Sequence, residues 1–273
     1  NRRTLCTNQK SCMIILGYTR NTKYYAEVLN QSIIAEEDFP LSDVKNSNEP
    51  LFVFGASVIL KSIMDECIRC GRDFYSTDSG YIGNVVGPAQ KLEAGRKKWL
   101  RLVKNGLQHT QMTHYPSDDR LRLIGFEPIS FKRGGKVLVV LPGPIAALYH
   151  DIKLDTVKED ITKEIRKYTD RKIVFREKDP DGIKAGTKDR FIKRPFWKCL
   201  QSGDIHCTIS WGSVASVESI CYGIPTIALK PCAASPVCDS QLSNIENPKY
   251  PSIDEKRDWL RWISKETLTR DEI

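Results

Sequence analysis

Apolar positions along the chain alternate between short unbroken runs and stretches with helical spacing. Cys12-Met-Ile-Ile-Leu-Gly17 is an apolar run closed by glycine, the pattern of a buried strand. Asn21 to Asn30 follows with Tyr24, Tyr25, Val28 and Leu29 at helical spacing. Leu51-Phe-Val-Phe-Gly55 repeats the strand pattern, and Val58 to Cys70 reads as an amphipathic helix. Asp73 to Asp78 is a third strand, leading into a glycine-rich loop, Ser79-Gly-Tyr-Ile-Gly-Asn84. This order predicts a parallel sheet flanked by helices, with ligands at the carboxyl ends of its strands.

Gly87 to Arg133 shows no clear period, and Arg133-Gly-Gly135 is a turn signal. A second alternation begins there. Lys136-Val-Leu-Val-Val-Leu141 is a strand ended by Pro142-Gly143-Pro144. Thr156 to Tyr168 is a helix with Val157, Ile161, Ile165 and Tyr168 on one face, and Lys172-Ile-Val-Phe175 is the next strand. Lys178 to Arg194 is a charged loop. His206 to Ser210 is a strand, Val214 to Tyr222 a helix and Pro225 to Leu229 a strand. The tail from Asp254 to Ile273 carries Trp259, Trp262, Ile263 and Leu268 at helical spacing. The expected class is therefore α/β with two Rossmann-like domains, residues 1–133 and 134–273, the second carrying a C-terminal helical tail that packs back.

A length of 273 residues suffices for two cores. No apolar run approaches the roughly 20 residues needed to span a bilayer, and no hydrophobic leader follows Asn1, so a cytoplasmic protein without membrane contact is expected. Lys and Arg outnumber Asp and Glu by 42 to 34, a charge of +8 that favours a phosphorylated or polyanionic ligand. The nine Cys are scattered, several of them inside apolar runs. Cys67-x-x-Cys70 has no second Cys/His pair at zinc-like spacing and reads as part of a helix.

The segment richest in chemistry is Ser210-Trp-Gly-Ser213-Val-Ala-Ser216-Val-Glu218-Ser-Ile-Cys-Tyr-Gly223-Ile-Pro225. A strand ends at Ser210, and Gly212 and Ser213 open a helix whose first N–H groups and positive dipole end suit a phosphate. Ala215 and Ser216 are small enough for close approach. Glu218 lies farther into the helix, where a carboxylate accepts hydrogen bonds from a ribose diol. Capping alone accounts for Ser213, but not for small residues followed by an interior Glu.

This segment resembles the donor-nucleotide motif of two-domain (GT-B) glycosyltransferases, with Ser213 and Glu218 at the matching positions and Ser210 beside them. Arg176-Glu-Lys178 resembles the basic pair that faces the diphosphate in that family, although Glu177 stands where the family often has Pro, and the N-terminal domain is short. The resemblance implies two Rossmann-like domains facing a cleft and a nucleotide-sugar donor, here expected to be a UDP-sugar. It implies donor contacts from Ser210, Gly212, Ser213, Glu218, Arg176 and Lys178. Asp73-Phe-Tyr-Ser-Thr-Asp78-Ser-Gly-Tyr81-Ile-Gly, Arg101-Leu-Val-Lys-Asn-Gly-Leu-Gln108 and the Leu-Thr-Arg-Asp-Glu-Ile tail also resemble phage-encoded glycosyltransferases, some of which modify hydroxymethylated bases in DNA.

Sugar transfer from a nucleotide needs no metal if cations neutralise the departing diphosphate, and no cofactor is expected. One general base must take the acceptor proton. Asp78, after a strand and before Ser79-Gly80, is the candidate, and an Asx turn is its structural alternative. Asp118-Asp119 reads as solvated. His109 and His114 lie in a polar loop, and His206 reads as core. If double-stranded DNA is the partner, Lys91, Arg96, Lys97, Lys98, Arg101 and Lys104 supply a basic groove, with Trp99, Tyr81 or Tyr115 to stack on a flipped base. A small-molecule or glycan acceptor, or a nucleotide-binding module without catalysis, are the alternatives.

Overall fold

The computed structural model describes residues 13–17, 20–82, 99–127, 129–177, 196–202 and 204–273. Two compact units emerge, 1–78 with 102–107, and 79–101 with 108–273. Among the described residues, 79–82, 99–101, 108–127 and 129–133 fall in the second unit.

The first unit contains β1 (Ile14–Leu16), α1 (Arg20–Leu29), β2 (Ile33–Ile34), α2 (Leu41–Asn46), β3 (Leu51–Phe54), α3 (Val58–Cys70), β4 (Phe74–Ser79) and the Leu102–Lys104 part of β5 (Trp99–Lys104). Its strands run in the order β5-β4-β3-β1-β2. The β2-β1-β3-β4 ladders are parallel, with Ile15 opposite Phe52 and Phe52 opposite Tyr75. β2 and α2 are too short to leave a periodic signal. Helix α3 forms as its spacing predicts: Leu60, Ile63, Met64 and Cys67 recur every three or four residues and are buried. Ser57 caps it, accepting from Leu60 N at 3.1 Å while donating to Glu36 at 2.9 Å. Cys67 is buried in this core, and burial pushes its thiol up to about 11, whereas Cys70 is exposed. Cys67 is therefore part of the α3 packing, and Cys70 lies at the exposed end of the helix.

Strand β4 extends to Ser79, one residue past the expected end at Asp78, so Asp78 is not its last residue. Trp99–Lys104, in the region without a clear period and expected to contribute Arg101 and Lys104 to a basic groove, is also a strand, with Trp99, Leu100, Arg101 and Val103 buried.

The second unit adds α4 (Asp119–Ile124), β6 (Lys136–Val140), α5 (Pro144–Tyr149), α6 (Val157–Ile165), β7 (Lys172–Arg176), α7 (Phe196–Ser202), β8 (Ile205–Ser210), α8 (Val214–Cys221), β9 (Thr226–Ala228), α9 (Ile253–Lys265) and β10 (Leu268–Thr269). A four-stranded parallel sheet runs β7-β6-β8-β9. Both faces of its central strands are covered: β6 is apolar after Lys136, and β8 is buried along its whole length although His206, Thr208 and Ser210 alternate with its apolar residues. Val137, Val139, Cys207 and Ile209 pack with Ile161 and Ile165 of α6 on one face. Leu138 and Ile205 pack with Val217 and Ile220 of α8 and with Trp259 and Trp262 of α9 on the other. The mixed α/β class with parallel sheets thus matches the sequence pattern.

The tail departs from the expected continuous helix. Helix α9 ends at Lys265, and β10 then runs antiparallel to the start of β5, with Leu268 opposite Leu100. A capping box starts α9: Ser252 Oγ accepts from Glu255 N at 3.1 Å, and Ser252 N donates to the Glu255 carboxylate at 2.8 Å. Trp259, Leu260, Trp262 and Ile263 are fully buried, and the two indoles alone remove roughly 300–500 Å² from water. Asp118 is not solvated as expected. Arg261 at 2.6 Å and Arg257 at 2.7 Å hold its carboxyl down to about 2 and tie α9 to the start of α4.

Candidate functional site

In the four-stranded sheet the chain passes from β6 outward to β7, then returns to β8 on the opposite side of β6. The connections leaving β6 and β8 therefore diverge, and the carboxyl ends of these two strands form the crevice where open α/β sheets take ligands. Pro142, Gly143 and Pro144 leave β6 on one side of it, and Trp211, Gly212 and Ser213 leave β8 on the other.

Ser213 is the N-cap of α8, its Oγ accepting from Ala215 N at 3.2 Å. In the first turn of α8, Ala215 N is thus taken by the cap and Ser216 N donates to Ser213 O at 3.0 Å, while the positive end of the helix dipole lies at the carboxyl end of β8. Ser210 stands differently from the expectation that it contacts a donor. It is buried, and its Oγ bonds Ser216 Oγ at 2.6 Å, locking the end of β8 onto α8. Glu218 lies one turn into α8 on the half-exposed face that also carries Val214 and Ala215, while Ser216, Val217, Ser219 and Ile220 face the core.

Arg176 ends β7, two strand spacings from β8, roughly 10 Å away. Its guanidinium lies over the Phe196 ring at 5.2 Å and donates to Cys199 Sγ at 3.4 Å, so a half-buried cation is aimed by α7. Lys178 lies outside the described residues.

Several participants carry no sequence signal of their own. The His150 ring, just past α5, packs against Gly212; burial and then the charge of Lys230 lower its pKa. Helix α5, not among the elements expected from sequence, begins at Pro144, where the fixed φ of proline suits the first helical position. Gln108 Nε2 donates to Gly212 O, and Ala233 N donates to Gln108 Oε1 at 3.4 Å. Ala233 O accepts from the buried Trp259 indole at 2.7 Å, which fixes the loop after β9.

The remaining candidates fall elsewhere. Asp78 is half-buried near the carboxyl end of β4. Among the proposed DNA contacts, Lys91, Arg96, Lys97 and Lys98 lie outside the described residues. Arg101 is buried, its guanidinium on Ser79 O and over the Tyr81 ring at 5.4 Å, so it acts as an internal strut and is not offered to a polyanion. Lys104 pairs with Asp73 at 2.7 Å. Trp99 and Tyr81 are core residues, buried too deeply to stack on a flipped base. Tyr115 is half-buried beneath Lys265, whose Nζ lies 5.6 Å from the ring centre. His109 bonds Tyr81 OH at 3.2 Å and the Glu266 carboxylate at 3.2 Å, whereas His114 is exposed. Burial lowers the His109 pKa against the opposing pull of Glu266. His206 is core as expected, bonded to Ile245 O at 2.7 Å. Among the described residues no group of three or more His, Cys, Asp or Glu is placed to hold a metal ion, and no helix is long and apolar enough to cross a membrane.

The sequence matches no protein-family model and no curated protein. Solved structures similar to the chain include two from Thermosulfurimonas dismutans KpsC. The beta Kdo 2,4 transferase shares 12% identity at a TM-score of 0.47, over 92% of this chain and 90% of that one. The beta Kdo 2,7 transferase shares 10% identity at a TM-score of 0.45, over 96% of each chain.

Proposed function

We propose that the chain is a glycosyltransferase of the GT-B kind, moving a sugar from a nucleotide-linked donor to an acceptor hydroxyl. The observation that carries this reading is the coincidence of the Ser213–Glu218 helix with the switch point of a parallel sheet. The α8 N-terminus offers N–H donors to a diphosphate. Glu218, one turn farther along the same face, is spaced for a ribose diol. Arg176 supplies a planar cation suited to phosphate oxygens, and His150 lies beside Gly212 with the charge of Lys230 near its ring. Asp78 is the proposed base for the acceptor hydroxyl, and the chemistry asks for no metal.

The test is direct. The protein is incubated with a panel of nucleotide sugars, UDP-sugars first, and with acceptors that include glycans, small polyols and plain or hydroxymethylated DNA. Transfer is read by mass. The expected result is mass gain on one acceptor class with release of the nucleotide. Thermal stabilisation by a nucleoside diphosphate without transfer to any acceptor would favour a binding module instead. No stabilisation by any nucleotide would end the reading.

A further inference from the structure

The carbonyl that leads into α8 is held by a residue more than a hundred positions away. Gln108 Nε2 donates to Gly212 O, and the same side-chain amide accepts from Ala233 N through Oε1 at 3.4 Å. The two partners settle which way the amide points. A backbone N–H can only donate and a carbonyl can only accept, so Oε1 must face Ala233 and Nε2 must face Gly212. Ala233 is itself immobilised through its carbonyl by the Trp259 indole at 2.7 Å. Gln108 is therefore a braced clamp on Gly212, not a side chain that follows it.

The clamp has a directional consequence. A trans peptide is planar, and its C=O and N–H point to opposite sides. Pinning Gly212 O toward Gln108 aims the Ser213 N–H the opposite way. Gly212 has φ +55 and no side chain, so its backbone has more than one accessible basin and the following peptide plane is easily rotated. A rotated plane would withdraw the Ser213 N–H and swing a carbonyl toward the place where an anion binds.

We infer that Gln108 is a positioning residue for the diphosphate subsite, orienting the Gly212–Ser213 peptide so that its N–H serves the anion. This rests on the reading of the α8 N-terminus as the donor-phosphate site. It extends that reading to a residue outside the motif that has no need to touch the ligand.

The test uses Gln108→Met, which keeps length and removes both polar atoms, and Gln108→Asn, which keeps the amide but shortens its reach. Binding of uridine diphosphate, inorganic pyrophosphate and uridine is measured for each, together with amide hydrogen exchange over 211–216 without ligand. In both variants, uridine diphosphate and pyrophosphate should bind about tenfold more weakly, as for loss of one hydrogen bond to a charged group, while uridine binding stays within twofold. Exchange over 211–216 should quicken. A role confined to folding would lower the melting temperature and weaken all three ligands alike, which would overturn the inference. Unchanged pyrophosphate affinity in the variants would overturn it alone. A wild-type protein that binds neither phosphate probe would overturn the donor-site reading, and this inference with it. If Gln108→Met does not fold, the comparison is made with Gln108→Asn.

Discussion

The His150 imidazole occupies the space that a side chain on Gly212 would need. Its Nε2 lies 2.8 Å from the place of a Cβ there, and Pro231 O lies 3.2 Å away. Gly212 is also left-handed at φ +55, a conformation that costs other residues roughly 1–2 kcal/mol. Gly212→Ala should therefore lower stability by that amount plus a steric contribution. Adding His150→Ala should recover the steric part only, because the backbone cost remains. A double-mutant cycle by thermal denaturation checks this, and strictly additive effects would show that ring and glycine do not share the space.

Glu218 is the residue proposed for the ribose, so its removal should be felt by every ligand that carries one. Glu218→Ala is expected to weaken uridine and uridine diphosphate alike, by about 1–3 kcal/mol, and to leave pyrophosphate unaffected. Calorimetric titration of the three ligands distinguishes this from a general effect on the helix, which would weaken pyrophosphate too.

The strands of the four-stranded sheet are legible in sequence because a strand covered on both faces must be apolar throughout, as Val137–Val140 and Cys207–Ile209 nearly are. The α8 motif is legible because capping, small residues and an interior Glu are all local. Trp99–Lys104 is not, since Arg101 reads as a surface charge until Ser79 O and the Tyr81 ring are brought to it by the fold. Ser210 shows the limit of a motif: its hydroxyl is within reach of Ser216, six residues on, and that bond is invisible in one dimension. Gln108 and His150 enter the site through contacts that no spacing rule anticipates. Short elements such as β2, α5 and α7 hold too few residues to register a period.

Asp78 is tested by a substitution that spares its structural duties. It is the penultimate residue of β4, and Asn preserves its size and most of its hydrogen bonding. Asp78→Asn should keep the fold and the affinity for uridine diphosphate while turnover falls by about 10²–10⁴-fold, the usual worth of a general base. Turnover within threefold of the wild type would leave Asp78 as a residue that supports the strand and its turn.

Lys256 on α9 gives a prediction about stability against pH. It is 3% exposed, its Nζ donates to Ile129 O at 2.6 Å and lies 4.5 Å from the Phe131 ring centre, and burial brings its pKa from 10.5 down to about 8. Between pH 8 and 10.5 the unfolded chain thus holds a proton that the folded chain has released. Unfolding takes up protons in that window, so this lysine's contribution to stability rises with pH there and is flat below it. The full change is roughly 3 kcal/mol. The opposite trend comes from thiols that burial pushes up to about 12, at Cys207, Cys221 and Cys238, which disfavour the fold as their unfolded counterparts ionise. The measurement must therefore be a difference. Lys256→Met removes the lysine alone, and denaturant melts of both proteins from pH 7 to 10.5 cancel the thiols. The wild type should gain on the variant by about 3 kcal/mol across the window. A difference independent of pH would mean that the ammonium keeps its ordinary pKa at this site.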